Sequence, residues 1–127
     1  MEFSASHRFW CEDWDAVRNR AVFGAGASRF SHGHNYALEV TLRGSIDAET
    51  GMVMDLKQLK DVMQVEVAAR FDHRNLNEDC EYFVDRPASA ENLALVIFDL
   101  LDAALPAGAL HSVRLAPLQD LAVEVTR

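Results

Sequence analysis

The chain has 127 residues, a formal net charge of −8, half apolar residues and a quarter charged ones. That length makes one domain, residues 1–127, with a core of its own and no room for a second. The acidic balance excludes a phosphate-backbone binder, which needs a basic face, so no nucleic-acid partner is expected.

Residues 2–9 alternate apolar and polar and predict a first strand ending near His7. Residues 10–31 mix Trp10, Trp14, charges and a Gly-Ala-Gly-Ala-Ser segment, and predict a long loop with at most a helical turn. His32 and His34 then open an apolar run, and residues 34–44 predict a second strand with Tyr36, Leu38, Val40 and Leu42 on one face. Asp47 to Gly51 supply a turn. Asp55 is placed as the N-cap of a helix carrying Leu56, Leu59, Val62, Met63 and Val67 at helical spacing. Residues 71–87 are polar and irregular. Ser89 to Asn92 start a second helix, whose apolar positions include Leu93, Val96, Ile97, Leu100 and Leu101 and which Pro106 and Gly108 stop. Two strands follow, near His111–Leu115 and Leu121–Thr126. The order ββααββ predicts an α+β fold: a four-stranded antiparallel sheet with two helices on one face. Its two open edges favour closure against further copies of the chain, hence a homo-oligomer.

No basic-plus-apolar leader precedes Glu2, and no apolar run reaches membrane-spanning length, so a cytoplasmic protein with no membrane partner is expected. Cys11 and Cys80 fit no zinc-thiolate spacing and are expected as free thiols.

Three of the five histidines carry the chemistry. Residues two apart on a strand share a face, so His32 and His34 can aim at one point, and His7 can supply a third nitrogen. Gly33 between them is expected to let backbones approach closely. Three imidazoles with one open position form the ligand set of a catalytic zinc site, against the alternative of polar strand-end residues. Asp72-His73 offers either a carboxylate-oriented proton relay or a turn cap beside a solvated ring. Ser89 and Glu91 read first as a helix N-terminus, and are the candidate substrate-binding residues in the second place. His111 begins a strand with no partner in view.

The motifs FSASHRF, HGHNY, GMVMDL, FDHRNLN and SAENLA, in that order over essentially the whole chain, resemble the 6-pyruvoyltetrahydropterin synthase / 6-carboxytetrahydropterin synthase family. The resemblance implies the tunnelling (T-) fold, assembled as trimers and stacked hexamers. It implies Zn²⁺ on His7, His32 and His34, and a proton-transfer dyad of Asp72 and His73 entering a site partly built by a neighbouring subunit. It also implies lyase chemistry on the side chain of a dihydropterin triphosphate: elimination of triphosphate, or C–C cleavage releasing a two-carbon aldehyde.

Two departures stand against it. The family's cysteine base falls on Gly26 in pyruvoyl-type register and on Ser28 in carboxy-type register, and neither is a thiol. Ser28, Cys11 and a zinc hydroxide are the alternatives for the missing base. The pterin-gripping glutamate and its following threonine fall on Pro117 and Leu118. A ring edge facing them loses charge-assisted hydrogen bonds of about 1.5–3 kcal/mol each. Asp120 and Glu124 lie nearby but out of register unless a bulge shifts the strand. The sequence thus points to a zinc-dependent lyase of this superfamily acting on a non-standard small molecule. The alternatives are an ordinary 6-carboxytetrahydropterin synthase with substituted groups and a non-catalytic zinc-binding paralogue.

Overall fold

The computed structural model describes all residues from Met1 to Arg127. Strands β1 (Glu2–His7), β2 (His32–Leu42), β3 (Arg74–Asn75), β4 (Leu110–Leu118) and β5 (Leu121–Thr126) form one sheet in the order β3-β1-β2-β4-β5. The sheet therefore has five strands rather than four, and β3 runs parallel to β1 while every other pair is antiparallel. Two polar residues show no apolar alternation, so β3 leaves no trace in the sequence pattern. It is tied in by His73 N–H donating to the Ser4 carbonyl (2.6 Å) and Leu76 N–H donating to that of Ser6 (2.8 Å).

Helix α1 (Ala16–Phe23) occupies the expected long loop. It has no apolar stripe, and its one buried residue is Asn19. That amide accepts from Cys11 N–H (2.7 Å) and donates to the carbonyls of Cys11 (3.0 Å) and Asp15 (3.0 Å), while Asp15 caps the helix by accepting from Arg18 N–H (2.8 Å). A helix held by a buried polar side chain escapes a search for hydrophobic periodicity.

Helix α2 (Leu56–Met63) starts at Asp55, which accepts from Lys57 N–H as expected of an N-cap. It runs on through a π-helical turn (Gln64–Ala68) into a final turn, α3 (Ala69–Phe71). Leu59, Met63, Val67 and Phe71 are its buried residues, each four apart. Four residues of α-helix overshoot a full turn by about 40°, and the wider π turn offsets that drift, keeping all four on the core. Leu56, read at helical spacing with these residues, is exposed at the first position of the helix. Helix α4 (Ala90–Ala104), capped by Ser89, buries Leu93, Val96, Ile97 and Leu101 against β4 and β5.

Phe3, Ala5 and His7 of β1 and Tyr36 and Leu38 of β2 point toward the helices, and Phe3 stacks on Tyr36 at 5.2 Å. Ser4, Ser6, Gly33, Asn35 and Glu39 alternate with them and lie on the helix-free face. That face is polar although it belongs to the central strands.

Leu93 is fully buried between α4 and the sheet. Leu93→Ala is expected to remove about 2–5 kcal/mol of stability, read as a lower urea midpoint at unchanged m-value.

Candidate metal centre and proton-transfer residues

The β1–β2 register sets His7 opposite His32 and Ala5 opposite His34, so all three rings gather on the helix-facing side at the end of the pair. One ligand nitrogen from each lies within 4.8 Å of the other two, and the Nε2 atoms of His7 and His32 are 3.1 Å apart. Tetrahedral zinc at about 2.0–2.1 Å from nitrogen needs ligand atoms about 3.4 Å apart, within the range found here.

His7 is buried, and its Nδ1 lies 2.7 Å from the Ala88 carbonyl just before α4. A carbonyl only accepts, so Nδ1 carries the proton and Nε2 turns its lone pair toward His32 and His34. This contact joins the end of β1 to the base of α4, and no sequence signal marked Ala88. Burial, then the neighbouring imidazoles, outweigh the Ala88 contact and lower the His7 pKa; burial and His32 lower that of His34. Both rings are thus neutral near pH 7, the form that binds a metal. Tyr36, edge-on to His34 at 5.6 Å, has a buried hydroxyl without a hydrogen-bond partner, and burial pushes its pKa up to about 12.

Gly33 does not serve as expected. A Cβ there would sit 3.6 Å from the Ala5 carbonyl, an ordinary contact, and its φ is not positive. The residue faces the other side of the sheet, in a cleft with Ser4, Ser6, His73, Asn75 and Asp79.

His73 lines that cleft, and Asp72 precedes it. Asp72 Oδ1 accepts from Ser4 N–H (2.8 Å), and Oδ2 is 3.1 Å from His73 Nδ1. The Ser4 contact leads the causes that hold the Asp72 pKa below the ordinary carboxylate range. His73 sits at φ 61°, a left-handed conformation uncommon for a side-chain-bearing residue. Its ring is 84% exposed and reaches outward. Within one chain, then, the dyad and the triad open on opposite faces of β1.

The alternative bases divide. Gly26 and Ser28 do lie near the triad: Ala27 forms a bridge to Phe9, whose ring packs edge-on to His7 at 4.9 Å. Ser28 Oγ accepts from Phe30 N–H (3.1 Å), a local turn contact. Cys11 and Cys80 are both free, as expected. Cys11 lines a pocket whose walls include none of the three histidines, and burial pushes the Cys80 thiol up.

Ser89 Oγ is engaged in capping Asn92 N–H (3.2 Å), and Glu91 is exposed in the first turn of α4. At the other end, β4 bulges between Leu115, paired with Val123, and Leu118, paired with Leu121. The bulge leaves Glu124 opposite Arg114, whose guanidinium is 3.5 Å from Glu39 on the helix-free face. Pro117 therefore gains no acidic neighbour from Glu124.

A family model described as 6-pyruvoyl tetrahydropterin synthase matches residues 1–126. The chain belongs to this family. It is 43% identical over 97 residues to the 6-pyruvoyl tetrahydrobiopterin synthase of Drosophila melanogaster, covering 76% of the chain and 58% of that relative. It is 42% identical over 115 residues to the Pongo abelii protein of the same name, covering 91% of the chain and 79% of the relative. The solved Caenorhabditis elegans 6-pyruvoyl tetrahydropterin synthase superposes with a TM-score of 0.91 at 33% identity, over 100% of this chain and 91% of that one. The expected T-fold and family resemblance thus hold, and with them a lyase-type function. No helix is long and apolar enough to cross a membrane.

The two lowered histidines fix a pH dependence. In the unfolded chain they titrate near pH 6.5, and in the folded chain only at lower pH, so the unfolded state binds more protons between those values. Chelator-treated protein is therefore expected to lose melting temperature as pH falls from 7 toward 5, and His7→Gln to flatten that slope.

Proposed function

We propose that the chain is a zinc-dependent lyase carrying out acid/base-assisted elimination or C–C cleavage on a small molecule other than the usual dihydropterin triphosphate. The observation that carries the reading is the convergence of His7, His32 and His34 with His7 locked by Ala88. A structural zinc site is commonly closed by four ligands, whereas three imidazoles match the open, catalytic pattern. Zn²⁺ held there would polarise a substrate carbonyl or hydroxyl oxygen and ease loss of the neighbouring proton.

His73 is the acid/base residue in this reading. Asp72, ionised and fixed by the Ser4 N–H, engages Nδ1 and leaves Nε2 to exchange a proton with substrate. Because the pair opens on the face away from its own triad, it serves the triad of another copy, in a trimer or hexamer. Ser89 and Glu91, at the N-terminus of α4 beside Ala88, are the proposed substrate contacts. The cytosol is the proposed location. Pro117 and Leu118 favour a substrate edge that offers no row of N–H donors.

Purified protein is expected to hold one zinc per chain by elemental analysis, and His32→Ala to weaken its binding by well over the roughly 10–100-fold that losing only a supporting partner costs. His73→Gln should keep the metal while turnover falls about 10²–10⁴-fold. Mixing that variant with His7→Ala should restore part of the activity through hybrid oligomers. Zinc absent from carefully prepared material overturns the reading.

Dihydroneopterin triphosphate tests the substrate. Release of triphosphate or acetaldehyde at ordinary family rates by the native chain favours the plain synthase reading instead. Gly26 leaves room for the missing thiol, since a Cβ there meets only Phe9 Cδ2 at 3.8 Å. Gly26→Cys alone is expected to gain little pterin turnover, and Gly26→Cys with Pro117→Glu to gain measurably more, both read as product release.

A further inference from the structure

A pocket of about 310 Å³ opens beside the triad, at the lower end of the range for small-molecule sites. Trp10, Cys11, Trp14 and Phe23 line one side, and the segment from Phe83 to Pro87 lines the other. It adjoins the metal centre at two points. Phe9 packs edge-on to His7 (4.9 Å) and stacks on Phe23 (5.6 Å), and Pro87 precedes the Ala88 whose carbonyl holds His7.

The walls are built rather than incidental. The fully buried Asn19 fixes the backbone of Cys11, Trp14 and Asp15 through its amide. Arg18 covers Trp14 at 4.2 Å, and Arg29 lies 5.7 Å from Trp10.

On a chain of net charge −8, two arginines, Arg8 and Arg86, line this one pocket, and Arg18 and Arg29 stand over its two indole rings. Arg8 shares one terminal nitrogen with Glu78 (2.6 Å). Arg86 donates Nε to the Tyr82 carbonyl (3.2 Å), which leaves its terminal nitrogens without a protein partner. Asp85 is the acidic residue in the pocket wall. Trp14 and Phe23 stack on each other at 6.1 Å, so the Trp10 ring and the aromatic edges are what suit a flat ring. A free guanidinium suits one carboxylate or similar anion, and Asp85 disfavours a second negative charge.

We propose that this pocket binds a planar heteroaromatic group carrying a single negative charge. It deepens the lyase reading and rests on it for the ligand's other end: the ring-bearing arm lies between the indoles and Arg86 while its oxygens reach the histidines. A substrate held in this way has no need of the acidic anchor that Pro117 replaces.

Trp10 and Trp14 are the two tryptophans of the chain, so selectively excited tryptophan fluorescence reports on this pocket. Titration with quinoline-2-carboxylate, and with uncharged quinoline-2-carboxamide as control, should give saturable quenching with the acid at least tenfold tighter than with the amide. Arg86→Gln, at an exposed position, should erase that preference while circular dichroism stays unchanged. The preference should survive chelator treatment, because the pocket's walls contain no metal ligand. Equal affinity for acid and amide, no saturation, or indifference to Arg86→Gln overturns the proposal even if zinc is present. Selective quenching in a protein found to lack zinc upholds the pocket and removes the lyase reading.

Discussion

The register between β1 and β2 is the constraint on which the site depends. His7 faces His32, and Ala5 faces His34, only in this alignment. A slip of one residue would turn the paired imidazoles to opposite faces of the sheet. The hydrophobic pattern enforces the alignment, since Phe3 and Ala5 on one strand and Tyr36 and Leu38 on the other must all enter the core. Burying those side chains at about 25 cal/mol per Å² is what holds three weakly repelling, partly desolvated rings together. The candidate metal site is thus a by-product of core packing carried to the ends of two strands, where the apolar residues give way to histidines on the same face.

That dependence explains which parts are legible in the sequence. The alternation Tyr36, Leu38, Val40, Leu42 runs directly into His34 and His32, so period-two spacing by itself leads to the triad. The caps at Asp55 and Ser89 and the stripe of α4 follow from equally local chemistry. What is not legible is what has no apolar period. Helix α1 is organised by the amide of Asn19, β3 by two backbone hydrogen bonds to β1, and His7 by the carbonyl of Ala88, 81 residues away. A backbone carbonyl carries no side-chain signature, so the group that sets the tautomer of His7 is invisible until the chain folds. Gly33 shows the converse error. Its position between two candidate ligands suggests a steric need at the triad, whereas it faces the cleft that His73 enters.

The two faces of the sheet divide the proposed chemistry. On the helix side, burial keeps His7 and His34 neutral and suited to ligation; on the open side, the exposed His73 ring stands in its cleft with Nδ1 3.1 Å from Asp72. Asp72 ties the two together mechanically, because the β1 amide it grips belongs to Ser4, next in the chain to the Ala5 that stands opposite His34. A left-handed residue at position 73 is a local strain, of the kind that persists only where the surroundings over-determine it. Here the surroundings are the backbone bond to Ser4 and the Asp72 contact, both of which fix the ring outward.

The losses at Gly26 and Pro117 concern different faces of the problem and together carry more than either alone. A chain that lacked only the thiol could still grip a pterin, and a chain that lacked only the grip could still take up its proton. Here the three converging histidines and the Asp72–His73 pair are present without a thiol at Gly26 or an acid at Pro117, and the segment around Trp10 and Trp14 lines a pocket together with Arg8 and Arg86. In the proposed reading, a changed substrate on a kept metal requires recognition by residues that do not hold the metal. The pocket's walls contain none of the three histidines, and they meet the site through Phe23, which stacks on Phe9, and through Pro87, which precedes Ala88.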